Sequence, residues 1–229
     1  MDKAPDLDNT EVGKYAKRAA NARVQKDRLA TFLITRAALN NLGLELTDII
    51  HGEHGEPHLV IEDADKELFF SASHSEGVTV IAICEHPVGI DVEGEISSAR
   101  EQALEERFLT GRKIESIARE VPDAELVIAR LDTRGELRIM GNVRLNEKYG
   151  KNAIYVNNNL QICDIDPCSA VTAKWCTLEA LIKSTGGGFA DFLNTGAIAT
   201  ASSAMAYRIT RGDDRLYMAI AQTRKSGEN

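Results

Sequence analysis

Phe69-Phe70-Ser71-Ala72-Ser73-His74-Ser75-Glu76-Gly77-Val78-Thr79-Val80-Ile81-Ala82-Ile83-Cys84 is the stretch whose reading decides the fold. It reads as a strand from Phe69 to Ser73, a polar turn carrying Ser73-His74-Ser75, and an apolar strand from Val78 to Cys84. One hairpin further on comes Gly89-Ile90-Asp91-Val92-Glu93. Strand side chains alternate between faces, so Asp91 and Glu93 point one way and Val92 the other. Two carboxylates on one face repel each other and call for a cation. All-oxygen ligation suits a hard ion such as magnesium. An Asp-x-Glu at a strand end is also common on solvated faces, so its weight comes from what surrounds it.

A second segment adds that weight. In Trp175-Cys176-Thr177-Leu178-Glu179-Ala180-Leu181-Ile182-Lys183, the apolar residues Trp175, Leu178, Leu181 and Ile182 recur at helical spacing. Ser184-Thr185-Gly186-Gly187-Gly188 follows as a C-terminal stop. Glu179 and Lys183, four apart, share a helix face. Alone, such a pair is most often an exposed salt bridge on an amphipathic helix. His74 likewise reads as either a hairpin tip or a donor held beside a phosphate.

Working outward, residues 1–12 are polar and read as a frayed terminus, and Lys14 to Leu42 reads as helical up to Gly43. A loop is expected to about Pro57, including His51-Gly52-Glu53-His54-Gly55-Glu56-Pro57-His58, which looks more like a Gly- and Glu-rich loop than a metal site. Ala99 to Phe108 and Lys113 to Glu120 read as helices. Residues 125–166 look strand-rich, with Leu126–Ala129, Leu137–Met140 and Ala153–Val156 as strands and turns at Gly135 and Asn157-Asn158-Asn159. The motif helix runs from about Ala170 to Ser184. Ser203–Thr210 and Arg215–Gln222 form a final hairpin around Gly212-Asp213-Asp214.

Composition bounds the function. The chain has 229 residues, 43% hydrophobic, enough for one large domain or two small ones. No apolar run reaches membrane-spanning length, and Met1-Asp2-Lys3-Ala4-Pro5-Asp6 lacks the basic-then-apolar form of a signal peptide, so a cytoplasmic protein with no membrane partner is expected. The net charge of −8 argues against bulk nucleic-acid binding. The four cysteines, Cys84, Cys163, Cys168 and Cys176, show no C-x-x-C pair and read as reduced thiols, those of Cys84 and Cys176 buried.

Ser-His-Ser, then Val-Gly-Ile-Asp-Val-Glu, then Trp-x-x-x-Glu-Ala-x-x-Lys, in that order, resembles the 4′-phosphopantetheinyl transferases of the surfactin-synthetase type, which form a pseudo-dimer in one chain. The resemblance spans roughly residues 28–190 and includes Arg28-Leu29-Ala30-Thr31-Phe32-Leu33-Ile34-Thr35-Arg36-Ala37-Ala38-Leu39, similar to the family's first helix. It implies an α+β fold of two similar halves, each a small antiparallel sheet with packed helices, and an active site in the cleft between them. The halves would be residues 1–100 and 101–229, the second carrying a strand-rich insertion at about 125–166. A monomer follows from a pseudo-dimer in one chain.

The implied reaction moves the phosphopantetheine arm of coenzyme A to a serine of an acyl or peptidyl carrier protein and releases adenosine 3′,5′-bisphosphate. By the same resemblance, Asp91, Glu93 and Glu179 would bind Mg2+, or Mn2+ in its place, and Glu179 and Lys183 would be catalytic. Ser73, His74 and Lys183 would hold coenzyme A phosphates, with Arg28, Arg36 and Lys26 candidates for the 3′-phosphate.

Two positions depart from the family. Leu178 stands where the family has a lysine before the helix glutamate, and Glu56 replaces the lysine of a Gly-Lys-Pro motif. These departures leave open a degenerate relative that binds coenzyme A or a carrier protein without transfer, and the same carboxylates leave open a metal-dependent phosphohydrolase.

Overall fold

A computed structural model describes residues 22–52, 56–62, 67–110, 114, 117–120, 122–131, 137–145, 154–157, 160–186 and 202–223. The protein is mixed α+β, with antiparallel sheets and few helices. Helix α1 (Ala22–Asn41) leads into a small two-stranded sheet of β1 (Glu45–His51) and β2 (Pro57–Glu62). Strands β3 (Phe69–Ser75), β4 (Val78–Cys84), β6 (Ala124–Leu131) and β7 (Leu137–Leu145) form a four-stranded sheet in the order β3-β4-β6-β7. Strands β5 (Val88–Gly94), β8 (Ile154–Asn157), β9 (Leu160–Ile165), β10 (Ser202–Arg211) and β11 (Asp214–Thr223) form a five-stranded sheet in the order β5-β11-β10-β9-β8. Helix α2 (Ser98–Leu104), a π-helical turn at Glu105–Leu109, and helix α3 (Val171–Ser184) complete the described elements.

Strand alternation builds the layers. Val78, Val80, Ala82, Leu126 and Ile128 meet Ile90, Val92, Met205, Tyr207 and Ile220 in a core between the two sheets. That core draws on both sides of residue 100. The opposite face of β4 and β6 (Ile81, Ile83, Val127, Ala129) packs against Phe32, Ile34 and Leu39 of α1 and Ile49 of β1. The opposite face of the five-stranded sheet receives α3, whose Cys176, Ala180 and Leu181 lie on Ala204, Ala219 and Ala221. Trp175, Leu178 and Ile182 face instead toward Leu104, Leu109 and Ile114.

Several elements differ from the reading of the sequence. Ser73, His74 and Ser75 belong to β3, and the turn is Glu76-Gly77 alone, with φ of 50° and 71°. Two residues with positive φ match the right-handed twist of the flanking strands, so the tight turn needs no more. Residues 45–51, expected as loop, are strand β1, so His51 and His58 lie on a hairpin; His54 is outside the described residues. Of the helix expected at Lys113–Glu120, Ala118 instead makes a parallel bridge to Ser203; residues 111–113 and 115–116 are outside the described residues. The expected insertion is not an appended hairpin. Strand β6 pairs with β4 along its whole length and is an interior strand of its sheet. Leu126, Ile128, Val127 and Ala129 are buried on both faces, as an interior strand requires. Strand β9 (Leu160–Ile165) had not been expected as a separate strand.

Helix α3 lies unusually close to β5. A methyl group built on Gly89 would overlap the carbonyl oxygen of Ala180 and the backbone of Ser184. Gly89→Ala is therefore expected to destabilise the fold by about 2 kcal/mol or more, measured by urea denaturation.

Candidate functional site

The site is built where the edge strands of the two sheets run side by side. Strand β5 hydrogen-bonds to β11 on one side only, and β3 passes along its other edge. Serine side chains, rather than a backbone ladder, join the two edges. Ile90 N–H donates to Ser71 Oγ at 3.0 Å, and Gly94 N–H donates to Ser75 Oγ at 3.0 Å. Ser73 Oγ donates to Asp91 Oδ1 at 2.8 Å, and Ser75 Oγ to Glu93 Oε2 at 3.3 Å. Residue numbers rise together across these contacts, so the two strands run in the same direction. Alternation along β3 puts Ser71, Ser73 and Ser75 on one face, and their hydroxyls satisfy edge groups that would otherwise be buried unpaired.

Asp91 sits at the centre and is 2% exposed. Its Oδ1 accepts from Ser73 and from the ammonium of Lys183, whose Nζ lies 2.7 Å away. Lys183 also donates to the carbonyl oxygen of Ile90 at 3.1 Å. Its ammonium thus reaches from the last turn of α3 to β5, where the sequence suggested an exposed pair with Glu179. Asp91 Oδ2 is buried with no hydrogen-bond partner. Glu93 is held by Ser75 and by the exposed Arg100, whose Nη2 is 3.4 Å from Oε1.

Glu179 and Cys176 lie on α3 one turn and two turns before Lys183, on the face turned to β5. Burial first, and then the charge of Asp91, pushes the Glu179 carboxyl up to about 8, although Lys183 pulls it down. The Cys176 thiol is pushed well up from its ordinary range by burial, and further by Asp91 and Glu93. Burial drives both shifts, and the neighbouring carboxylates add to them. Among the described residues, no three His, Cys, Asp or Glu side chains converge closely enough to form a ligand cage as arranged. Lys183 and Arg100 hold Asp91 and Glu93 instead.

A cleft of about 400 Å³ opens beside Lys183. Pro57, Leu59, Phe69 and Val88 are among its apolar walls, and Glu56 stands at its edge beside His58, 3.4 Å from Nε2.

The structure brings Ser73, Asp91, Glu93, Glu179 and Lys183 together. Arg28, Arg36 and His74 stand elsewhere. Helix α1 packs on the face of the four-stranded sheet away from β5, with the Arg36 guanidinium 6.0 Å above the Phe32 ring. His74 is exposed and alternates with Ser73, in phase with Phe70 and Ala72, which pack on the α1 side. Leu178, where the family carries lysine, is fully buried beside Trp175 and Ile182. Sequence reasoning missed Ser71 and Ser75 as partners of β5, Arg100 as partner of Glu93, and Cys176 beneath the cluster. The Ser-x-Ser-x-Ser alternation at 71, 73 and 75 was the available signal for the first two; the others had none. No protein-family model matches the chain, and no curated protein matches it.

The Glu179 shift sets a pH dependence. Between the ordinary value of 4.5 and about 8, the folded chain holds a proton that the unfolded chain has lost. Stability therefore falls as pH rises through that window and levels off above it. In metal-free buffer Glu179→Gln is expected to flatten that slope and to exceed the wild type near pH 8, by on the order of a few kcal/mol. Urea denaturation from about pH 5 to pH 8 measures it.

Proposed function

We propose that the chain is a magnesium-dependent 4′-phosphopantetheinyl transferase, acting on coenzyme A and a carrier-protein serine. The observation that carries the reading is the approach of Asp91, Glu93, Glu179 and Lys183, from two segments nearly ninety residues apart in sequence, with Lys183 also in the wall of a cleft. Oxygen donors of this kind suit a divalent cation, although no three of the described carboxylates enclose one as arranged. Asp91 Oδ2 is buried and unpartnered, and burial together with the Asp91 charge keeps Glu179 protonated at neutral pH. Asp91, Glu93 and Glu179 would hold the ion. When bound, it would neutralise the diphosphate and align it for in-line attack.

The chain's own residues supply the rest. The cleft beside Lys183 has the size and apolar walls to take part of coenzyme A with its diphosphate toward α3. Lys183 pairs with a phosphate oxygen there. The Glu179 carboxylate, relieved of its own proton by the charge of a bound cation, would take the proton of the carrier serine, directly or through one water. The serine oxygen bonds to the phosphorus that carries pantetheine, and the bond from that phosphorus to the bridging oxygen breaks. Adenosine 3′,5′-bisphosphate leaves with the electron pair. Ser73 fixes the Asp91 carboxylate through Oδ1 and leaves Oδ2 for the ion. His74, Arg28 and Arg36, on the α1 side of β3, are candidates for the more distant 3′-phosphate.

In this reading the chain is organised as two α+β halves meeting near residue 100. The first provides Ser73, Asp91 and Glu93, and the second Glu179 and Lys183. A monomeric, cytoplasmic protein accords with it. No helix among the described residues is long and apolar enough to cross a membrane.

Incubation with apo carrier proteins, coenzyme A and Mg2+ is expected to add the mass of phosphopantetheine to the carrier. Asp91→Ala should lower the rate by about a thousandfold or more. No mass gain with several competent carriers overturns the proposal. Coenzyme A binding without transfer would mark a degenerate relative, and release of adenosine bisphosphate without carrier would mark a phosphohydrolase.

A further inference from the structure

Lys183 stands at two boundaries at once. Its ammonium is 2.7 Å from Asp91 Oδ1 and 3.1 Å from the Ile90 carbonyl oxygen, and its side chain forms part of the wall of the 400 Å³ cleft. The lysine side chain is 34% exposed, whereas that of Asp91 is 3% exposed. A swing of the ammonium from the carboxylate into the cleft therefore requires no unfolding of α3 or β5.

We infer that Lys183 makes cation and diphosphate binding interdependent, by moving from Asp91 to the diphosphate when both ligands are present. The inference rests on the transferase reading above, because it takes Asp91 as a cation ligand and the cleft as the diphosphate's seat. With the cleft empty of an anion, Lys183 already neutralises Asp91. A divalent ion approaching Oδ2 then meets a fixed positive charge on the other oxygen of the same carboxylate, and like charges a few ångströms apart in a poorly solvated site repel strongly. A diphosphate in the cleft offers the ammonium another anion. As Lys183 turns to it, Asp91 presents its full charge to the cation, and the cation in turn neutralises the diphosphate. Each ligand thus improves the other's site, and the coupling is reciprocal. Ser73 stays on Oδ1 and keeps the carboxylate oriented through the exchange. Two weak ligands are converted into one tight pair, and a cation alone or a nucleotide alone holds the site poorly.

Calorimetry with Mn2+ and coenzyme A as probes tests this without an activity assay. On the wild type, saturating coenzyme A is expected to tighten Mn2+ binding about tenfold, after correction for Mn2+ bound to free nucleotide, and Mn2+ to tighten coenzyme A by the same factor. In Lys183→Gln, with folding checked by circular dichroism, Mn2+ alone is expected to bind about tenfold more tightly than to the wild type, and the mutual effect to shrink to what direct attraction between cation and diphosphate supplies. Lys183→Arg, which retains the charge, is expected to keep Mn2+ binding weak in the absence of nucleotide. Independent binding of the two ligands to the wild type overturns the coupling and leaves the site assignment standing. Mn2+ binding to Lys183→Gln no tighter than to the wild type also overturns it. Binding of neither ligand to any form overturns the coupling and the transferase reading together.

Discussion

A carboxylate buried between a helix and the edge of a sheet must be given counter-charge and hydrogen bonds, or the fold around it fails. Asp91 is that group. Burying an unpaired charge costs several kcal/mol, and removing one partner of a buried pair costs about 3–5 kcal/mol. Ser73 and Lys183 meet the demand at one oxygen of the carboxylate, and the second oxygen is left without a partner. That asymmetry links architecture to chemistry. The contacts that stabilise Asp91 leave its second oxygen facing the buried side of α3 without a donor.

The surrounding layers serve the same contact. Helix α3 carries both Glu179 and Lys183, and the ammonium reaches Asp91 only because the helix lies low on the sheet. Gly89 and the alanines at 204, 219 and 221 make the floor shallow enough for that approach. Larger residues would lift the helix and open the Lys183–Asp91 pair. On the other flank, β3 is held to β5 by hydroxyls. A side-chain seam leaves the two sheets as separate layers with a filled core between them, while still closing the edge that carries the site. Accumulated negative charge is the remaining consequence. It is partly offset by Lys183 and Arg100, and it adds to burial, the larger cause, in raising the proton affinity of Glu179 and Cys176.

Much of this was legible residue by residue. The Asp-x-Glu alternation put both side chains on one face, and the serines of β3 reach both of them. The apolar period of residues 175–182 marked α3, and Gly212-Asp213 marked the last hairpin, because these signals are local and short-range. Strand β1 was not legible, since Glu45–His51 has polar residues on its exposed face and a bulge in its pairing. The role of β6 was hidden for another reason. Its sequence says strand, but nothing in it says that its partner is β4, some forty residues earlier, rather than a neighbouring hairpin.

By itself, the sequence determined the faces on which Asp91, Glu93, Glu179 and Lys183 stand and the mixed α+β class. Those follow from periodicity, which any stretch of chain reveals locally. Only the tertiary structure decided that Lys183 turns to Asp91 and not to Glu179, that three serines bind the edge of β5, and that Arg28, Arg36 and His74 lie across β3 from the acidic cluster. Those outcomes depend on which layers meet and how closely. Burial sets the cost of leaving a charge alone, and burial is a property of the packed molecule rather than of any segment.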